Sequence, residues 1–197
     1  MKLLLLISLV IWSSISNAGP IEQVTFVAQP QIEIENGQIV GCGWRLMSIP
    51  NVTDRKTKSY AVDVSFYLIN IEFALVKGGL IEVDAKTLQT NKLPTALNTK
   101  SFWIKSQTAN ATSPLDGIYK KTNTPVNYLL YATEFDPVTP LFNSVVQDKK
   151  IWVGFKLATE DMERIFSGNV KVTSEDAGDM SKCLNDFQAR VKRMYNR

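Results

Sequence analysis

Two cysteines constrain the fold of this chain more than any other feature. Cys42 lies within the run Gly41 to Trp44, and Cys183 lies near the C-terminal end. In a secreted chain, two cysteines usually form a disulfide because the compartment is oxidising. We therefore predict a bond that joins an early strand to the last helix across nearly the whole domain. Two buried free thiols are the alternative.

The N-terminus has the pattern of a secretory signal. A short basic start precedes the apolar run Leu3 to Trp12, and Ser16 and Ala18 supply the small residues that a signal peptidase requires. We predict a signal peptide over residues 1–18 and one mature domain over residues 19–197, secreted or periplasmic. A retained N-terminal anchor is the alternative. No cysteine stands directly after the apolar run, so we expect no lipid anchor, and no later run is long enough to cross a membrane.

Composition excludes several classes of chemistry. The chain has no histidine, which removes His-based triads, Cys-His dyads and the usual zinc sites. Its 22 basic residues nearly balance its 19 acidic residues, whereas nucleic-acid-binding domains usually carry a concentrated basic face. We predict no cofactor, no metal site and no nucleic-acid partner.

Several stretches have the pattern of antiparallel strands. Tyr60 to Leu68 alternates between apolar and polar residues, which is typical of a sheet with one buried and one wet face. Asn36-Gly37 predicts a hairpin, because both residues accept positive φ. Pro30 should interrupt the strand region before it. A second hairpin is predicted with its turn at Gly78-Gly79, and a short helix should follow Pro140.

The chain should end in an amphipathic helix over residues 174–195, capped by Thr173 or Ser174. Its apolar face would carry Met180, Cys183, Leu184, Phe187, Val191 and Met194. The predicted fold class is mainly β: an antiparallel β-sandwich or curled sheet with this C-terminal helix packed on it. A partly closed barrel is the alternative.

Two long polar connections are predicted. Residues 84–101 and 106–116 show little periodicity, and connections of this length often carry function. Asn51 and Asn110 each begin an Asn-x-Thr triplet, so both are glycosylation acceptors if the source secretes through a eukaryotic pathway.

Only carboxylates remain as acid or base groups. Glu134 and Asp136 are two residues apart at the end of a predicted strand, which would place both on one face at a spacing that glycoside hydrolases use. These are the candidate catalytic residues for one function: a carboxylate-dependent hydrolase of cell-wall or extracellular glycans. Neighbouring carboxylates are common on any protein surface, so we rank this function second.

A binding function fits the sequence better. Tyr67, Trp103 and Trp152 are expected to point outward, and such side chains are enriched at interfaces, whereas Trp44 should be buried near the disulfide. We predict a non-catalytic accessory or inhibitory protein that binds an envelope or extracellular protein, with a glycan as the second type of partner. A structural subunit with an incomplete sheet ranks third. The competing explanation of these aromatic residues is burial under the helix or a second sheet.

Overall fold

The computed structural model describes residues 18–48, 59–69, 73–83, 95–122, 128–147 and 149–195. The predicted signal peptide, except Ala18, and Asn51 lie outside these residues. The described chain is mainly β, as predicted, with one large sheet and two helices. The strands are β1 (Ala18–Gln23), β2 (Phe26–Glu35), β3 (Gln38–Ser48), β4 (Ser59–Leu68), β5 (Phe73–Val83), β6 (Thr95–Ala96), β7 (Thr99–Ser106), β8 (Lys120–Lys121), β9 (Leu129–Glu134), β10 (Lys150–Leu157) and β11 (Glu163–Lys171).

The strand order is β7-β10-β11-β2-β3-β4-β5-β9-β8, with β6 beside β5 and β1 beside β11. Most pairs are antiparallel, as predicted, but β11 runs parallel to both β1 and β2. β1 and β2 lie end to end along β11. Between them, Val24 N donates a hydrogen bond to Ser167 O (2.9 Å), so the chain stays beside β11. The predicted hairpin turn is confirmed, with φ of 51° at Asn36 and 73° at Gly37.

The prediction that Pro30 interrupts a strand is wrong. β2 runs through Pro30, which pairs with Trp44 of β3. On its other edge, β2 pairs with β11 only at Phe26 and Val27 among the described residues. A proline lacks a backbone donor and is tolerated where the edge of a strand has no ladder partner.

The sheet curls until β7 and β9 face each other across the core. The segment between β7 and β8 bridges them: Thr112 N donates to Ile104 O (3.0 Å), and the Thr112 hydroxyl lies 2.5 Å from the Tyr131 hydroxyl. Tyr119 donates a further hydrogen bond to Phe102 O (3.1 Å). The sheet is therefore closed on this side by loop and side-chain contacts rather than by a strand ladder.

The predicted hairpin at Gly78-Gly79 is also wrong, because β5 is continuous from Phe73 to Val83. A Cβ atom at Gly78 would lie 2.6 Å from the Phe102 ring inside the sheet. On the opposite face, a Cβ atom at Gly79 would lie 2.6 Å from the Tyr128 ring. The two glycines therefore make room for aromatic rings within a strand, which is the other common reason for glycine there.

The first helix, α1 (Phe135–Val146), begins before Pro140, earlier than predicted. Its buried face packs into the curled sheet, where Phe142 meets Phe66 edge to face at 5.2 Å between ring centroids. Ser144 Oγ also donates to Ser106 Oγ of β7 (2.7 Å). Thus α1 packs against the inner face of the sheet, and its side chains contact both β4 and β7.

The second helix, α2 (Ser174–Tyr195), has the predicted bounds. Thr173 caps it, since its Oγ1 accepts a hydrogen bond from Asp176 N (3.1 Å). Cys42 and Cys183 form the predicted disulfide and are almost fully buried, as is Trp44 on the same face of β3. The C-terminal helix is thus fixed to the sheet.

Loss of the disulfide should lower the stability strongly. The bond closes a loop of 141 residues, for which the chain-entropy model gives about 5 kcal/mol. We expect Cys42→Ala and Cys183→Ala each to lower the free energy of unfolding by that order, measured by urea denaturation. The double variant should lose little more than either single variant, because each change breaks the same bond. A decrease in the free energy of unfolding below about 1 kcal/mol would contradict a stabilising disulfide between β3 and α2.

A pair of glycine substitutions tests the ring packing within β5. Gly78→Ala should destabilise the protein by about 1–3 kcal/mol, because the methyl group would overlap the Phe102 ring. Gly178→Ala in α2 is the matched control. Nothing lies within 4 Å of its added methyl group, so this change should stabilise the helix by about 1 kcal/mol. Urea midpoints that move in the same direction for both variants would contradict this packing.

Candidate binding surface

Two tryptophans occupy diagonal positions on neighbouring strands, on the outer face of the sheet. Trp103 of β7 and Trp152 of β10 alternate with buried inner residues such as Phe102 and Val153, so both point away from the core. In the ladder Trp103 pairs with Gly154, and Lys105 pairs with Trp152. Both indoles are half-buried. We call Trp103, Lys105, Lys150 and Trp152 the Trp–Lys surface.

The orientation of Trp103 is set by two neighbours. Its ring covers Gly154, where the atoms of any side chain would overlap the indole. On β11, Glu163 Oε2 accepts a hydrogen bond from Trp103 Nε1 (3.1 Å). The ring is thus held in place by the protein itself, before any partner binds.

Two lysines lie over these rings. Lys105 Nζ is 5.6 Å from the centroids of both Trp103 and Trp152, and Lys150 Nζ is 5.5 Å from that of Trp152. Such distances correspond to cation–π contacts. Within the described residues, neither ammonium group has a carboxylate partner. The surface therefore presents two positive charges that its own described residues do not neutralise.

Ser167 of β11 pairs with Trp152 in the ladder. It is fully buried, and its hydroxyl has no hydrogen-bond partner in the described part of the protein. A side chain on the outer face with no exposed surface is closely covered by its neighbours, so Trp152 stands beside a well-packed part of that face.

Tyr67, the third predicted anchor, does not join this surface. It lies on β4, which is separated from β10 by β11, β2 and β3. Its ring fills the space above Gly43, and its hydroxyl donates to Gln31 Oε1 (3.3 Å). Burial raises the pKa of the Tyr67 phenol. Together with Leu75 and Leu130 it lines a shallow groove of about 300 Å³.

A charged cluster also lies on the outer face, around the buried carboxylate of Asp63. Arg45 donates two hydrogen bonds to it (3.0 and 2.6 Å), and the Tyr128 hydroxyl donates a third (2.5 Å). Burial, followed by the hydrogen bond to Asp63, raises the pKa of Tyr128. Lys77 Nζ lies 4.1 Å from the centroid of the Tyr128 ring. The charges of Arg45 and Asp63 compensate each other, and this pair together with Tyr128 joins β3 and β4 to the residue that precedes β9.

The predicted carboxylate pair does not have the expected geometry. Glu134 is the last residue of β9, and Asp136 lies in the first turn of α1, so the two do not share the face of one strand. Both are exposed. Asp136 has a structural explanation, since a negative charge in the first turn of a helix interacts favourably with the helix dipole. The hydrolase function remains a hypothesis without its geometric basis.

Comparison with known proteins adds no function. No protein-family model matches the chain, and no curated protein or solved structure matches it. In the part of the chain that the structure describes, no helix is long and apolar enough to cross a bilayer. No group of three or more acidic or cysteine side chains among those residues is arranged to hold a metal ion. Function has to be argued from the surface itself.

The residues that sequence reasoning missed are Lys105, Lys150, Gly154 and Glu163. Strand alternation alone assigns the first three to the outer face, because Lys105 lies two residues from Trp103, while Lys150 and Gly154 lie two residues from Trp152. The hydrogen bond from Trp103 to Glu163 had no such signal. It depends on the order of β7, β10 and β11 in the sheet.

The hydrogen bond that holds Trp103 can be tested at Glu163. Glu163→Ala removes the acceptor, so the indole N–H of Trp103 should shift in the NMR spectrum and exchange faster with solvent. The stability should fall by about 1 kcal/mol. Glu163→Gln is the matched control, because its amide oxygen can still accept the bond. An unchanged Trp103 indole signal in Glu163→Ala would contradict this contact; Trp103→Phe assigns the signal.

Proposed function

We propose that this is a secreted or periplasmic, non-catalytic binding protein that recognises an envelope or extracellular protein through its Trp–Lys surface. The observation that carries the proposal is the pair of half-buried indoles, Trp103 and Trp152, at diagonal positions on the outer face of β7 and β10. Tryptophan is one of the residue types enriched among binding hot spots. An indole that is already oriented, as Trp103 is, loses little further freedom on binding.

The proposed location rests on two features. The N-terminal residues have the pattern of a secretory signal, and the Cys42–Cys183 disulfide is typical of oxidising compartments. Both support a protein that meets its partner outside the cytosol.

Recognition by the face of the sheet is favoured over exchange of strands at its edges. At one end, the outer edge of β7 is occupied, because Ile104 N donates to Thr112 Oγ1 (3.2 Å) and Ile104 O accepts from Thr112 N (3.0 Å). At the other end, β8 consists only of Lys120 and Lys121. Short and lysine-rich edges oppose strand addition.

Beyond Val27 the second edge of β2 has no ladder partner among the described residues. Pro30 and the carboxylates of Glu33 and Glu35, however, oppose strand addition there too. A structural subunit that polymerises by strand exchange is therefore less well supported.

Truncation of Trp152 tests the proposed function. The purified mature protein, immobilised, is used to capture partners from an envelope and culture-fluid extract of the source cell, and the retained protein is then titrated. Trp152→Ala should weaken its binding by about 2 kcal/mol, or about 30-fold, the size of a typical hot-spot loss.

Ile34→Ala is the matched control for that experiment, because it removes an exposed apolar side chain (64 % exposed) from β2, away from the surface. It should leave the affinity unchanged. Equal affinities for the wild type and Trp152→Ala would show that the partner uses another surface.

A further inference from the structure

We propose that the Trp–Lys surface binds an acidic, extended polypeptide segment of its partner. The inference rests on the proposed function and adds the chemistry of the ligand. Its first basis is charge: Lys105 and Lys150 stand over the indoles without a carboxylate among the described residues. Carboxylates complement such ammonium groups through charge-assisted hydrogen bonds.

The second basis is a groove that continues from Lys150. It has a volume of about 370 Å³ and passes over Gly168 and Asn169 of β11 to Lys171 at the end of that strand. Thr25, between β1 and β2, lines its other side. The groove adds a third cation to the two of the Trp–Lys surface, so positive charges follow one path across β7, β10 and β11.

The polar lining of the groove suits a peptide backbone. Besides its two lysines, it presents the amide side chains of Gln23 and Asn169 and the hydroxyl of Thr25. Amide side chains both donate and accept hydrogen bonds, as the N–H and C=O groups of an extended peptide require. An acidic segment could therefore place carboxylates on the lysines and its backbone against these groups.

The positions of the lysines disfavour a sugar or a nucleobase as the ligand. Either would stack on an open indole face. One face of Trp103 lies on Gly154, and Lys105 lies over both Trp103 and Trp152. Lys150 also lies over Trp152. Because the cations lie over the rings, a ligand that contacts the indoles also meets the two ammonium groups.

The test uses poly-L-glutamate as the probe and polygalacturonate as the acidic glycan for comparison, both titrated by intrinsic tryptophan fluorescence. Poly-L-glutamate should bind the wild-type protein more tightly than polygalacturonate does. The double variant Lys105→Gln/Lys150→Gln should weaken that binding by about tenfold or more, and added salt should weaken the wild-type complex. Urea unfolding verifies that the variant is folded.

Lys120→Gln/Lys121→Gln is the matched control, because it removes the same charge from the exposed strand β8 at the other end of the sheet. It should change the affinity less than twofold. An equal loss of affinity for poly-L-glutamate in both double variants would show that only the net charge of the protein matters, and would overturn the inference. Tighter binding of polygalacturonate, or no binding of poly-L-glutamate, would also overturn it.

The partner captured from the extract separates this inference from the proposed function. If Trp152→Ala no longer binds the partner but Lys105→Gln/Lys150→Gln binds it with full affinity, the proposed binding function stands. The inference that the ligand is an acidic segment is then wrong. If Trp152→Ala also keeps the partner at full affinity, the proposed function itself fails.

Discussion

The covalent bond between Cys42 and Cys183 is the constraint on which the packing of this fold depends. It joins β3 to α2 across 141 residues, and both sulfur-bearing side chains lie in the core. Without α2, the inner face of the β2–β3 hairpin would lose the cover that Met180 and Phe187 provide. The hydrophobic core beneath β2 and β3 therefore includes the apolar face of the last helix, which the bond holds in place. The bond also removes much of the freedom of the unfolded chain.

Close contact between glycines and aromatic rings recurs throughout the sheet. In each case a ring from a neighbouring segment occupies the space that a side chain on the glycine would need; the pairs are Gly43 with Tyr67, Gly78 with Phe102, Gly79 with Tyr128, and Gly154 with Trp103. Aromatic rings that cover strand glycines restore the packing that these residues lack. On the inner face this builds the core. At Gly154 the same arrangement orients an indole on the outer face, so one packing device serves both stability and the proposed binding surface.

The charges on the outer face separate into two kinds of site. Around Asp63 the buried carboxylate is satisfied by Arg45 and Tyr128, and one further cation, Lys77, lies over the Tyr128 ring. On the Trp–Lys surface the ammonium groups of Lys105 and Lys150 meet only aromatic rings among the described residues. A compensated cluster stabilises the sheet, whereas uncompensated charge beside fixed aromatic rings is available to a partner. The grouping of two such cations with two indoles, against the single Lys77 over Tyr128, is the physical reason for placing function at β7 and β10.

Local sequence signals determined much of this protein. Alternation identified the inner and outer faces of most strands, Asn36-Gly37 identified a hairpin, and the apolar stripe around Cys183 identified α2 and its bond to the sheet. Predictions from ambiguous patterns were wrong. Gly78-Gly79 is compatible with a turn or with ring packing inside a strand, and the structure has the second. Glu134 and Asp136 lie where a strand changes to a helix, so they do not share one strand face. Only the tertiary structure decided which outward residues become neighbours. Strand order and register are set by contacts between distant residues, so no local pattern could bring Trp103 beside Trp152 and Glu163, or separate both tryptophans from Tyr67.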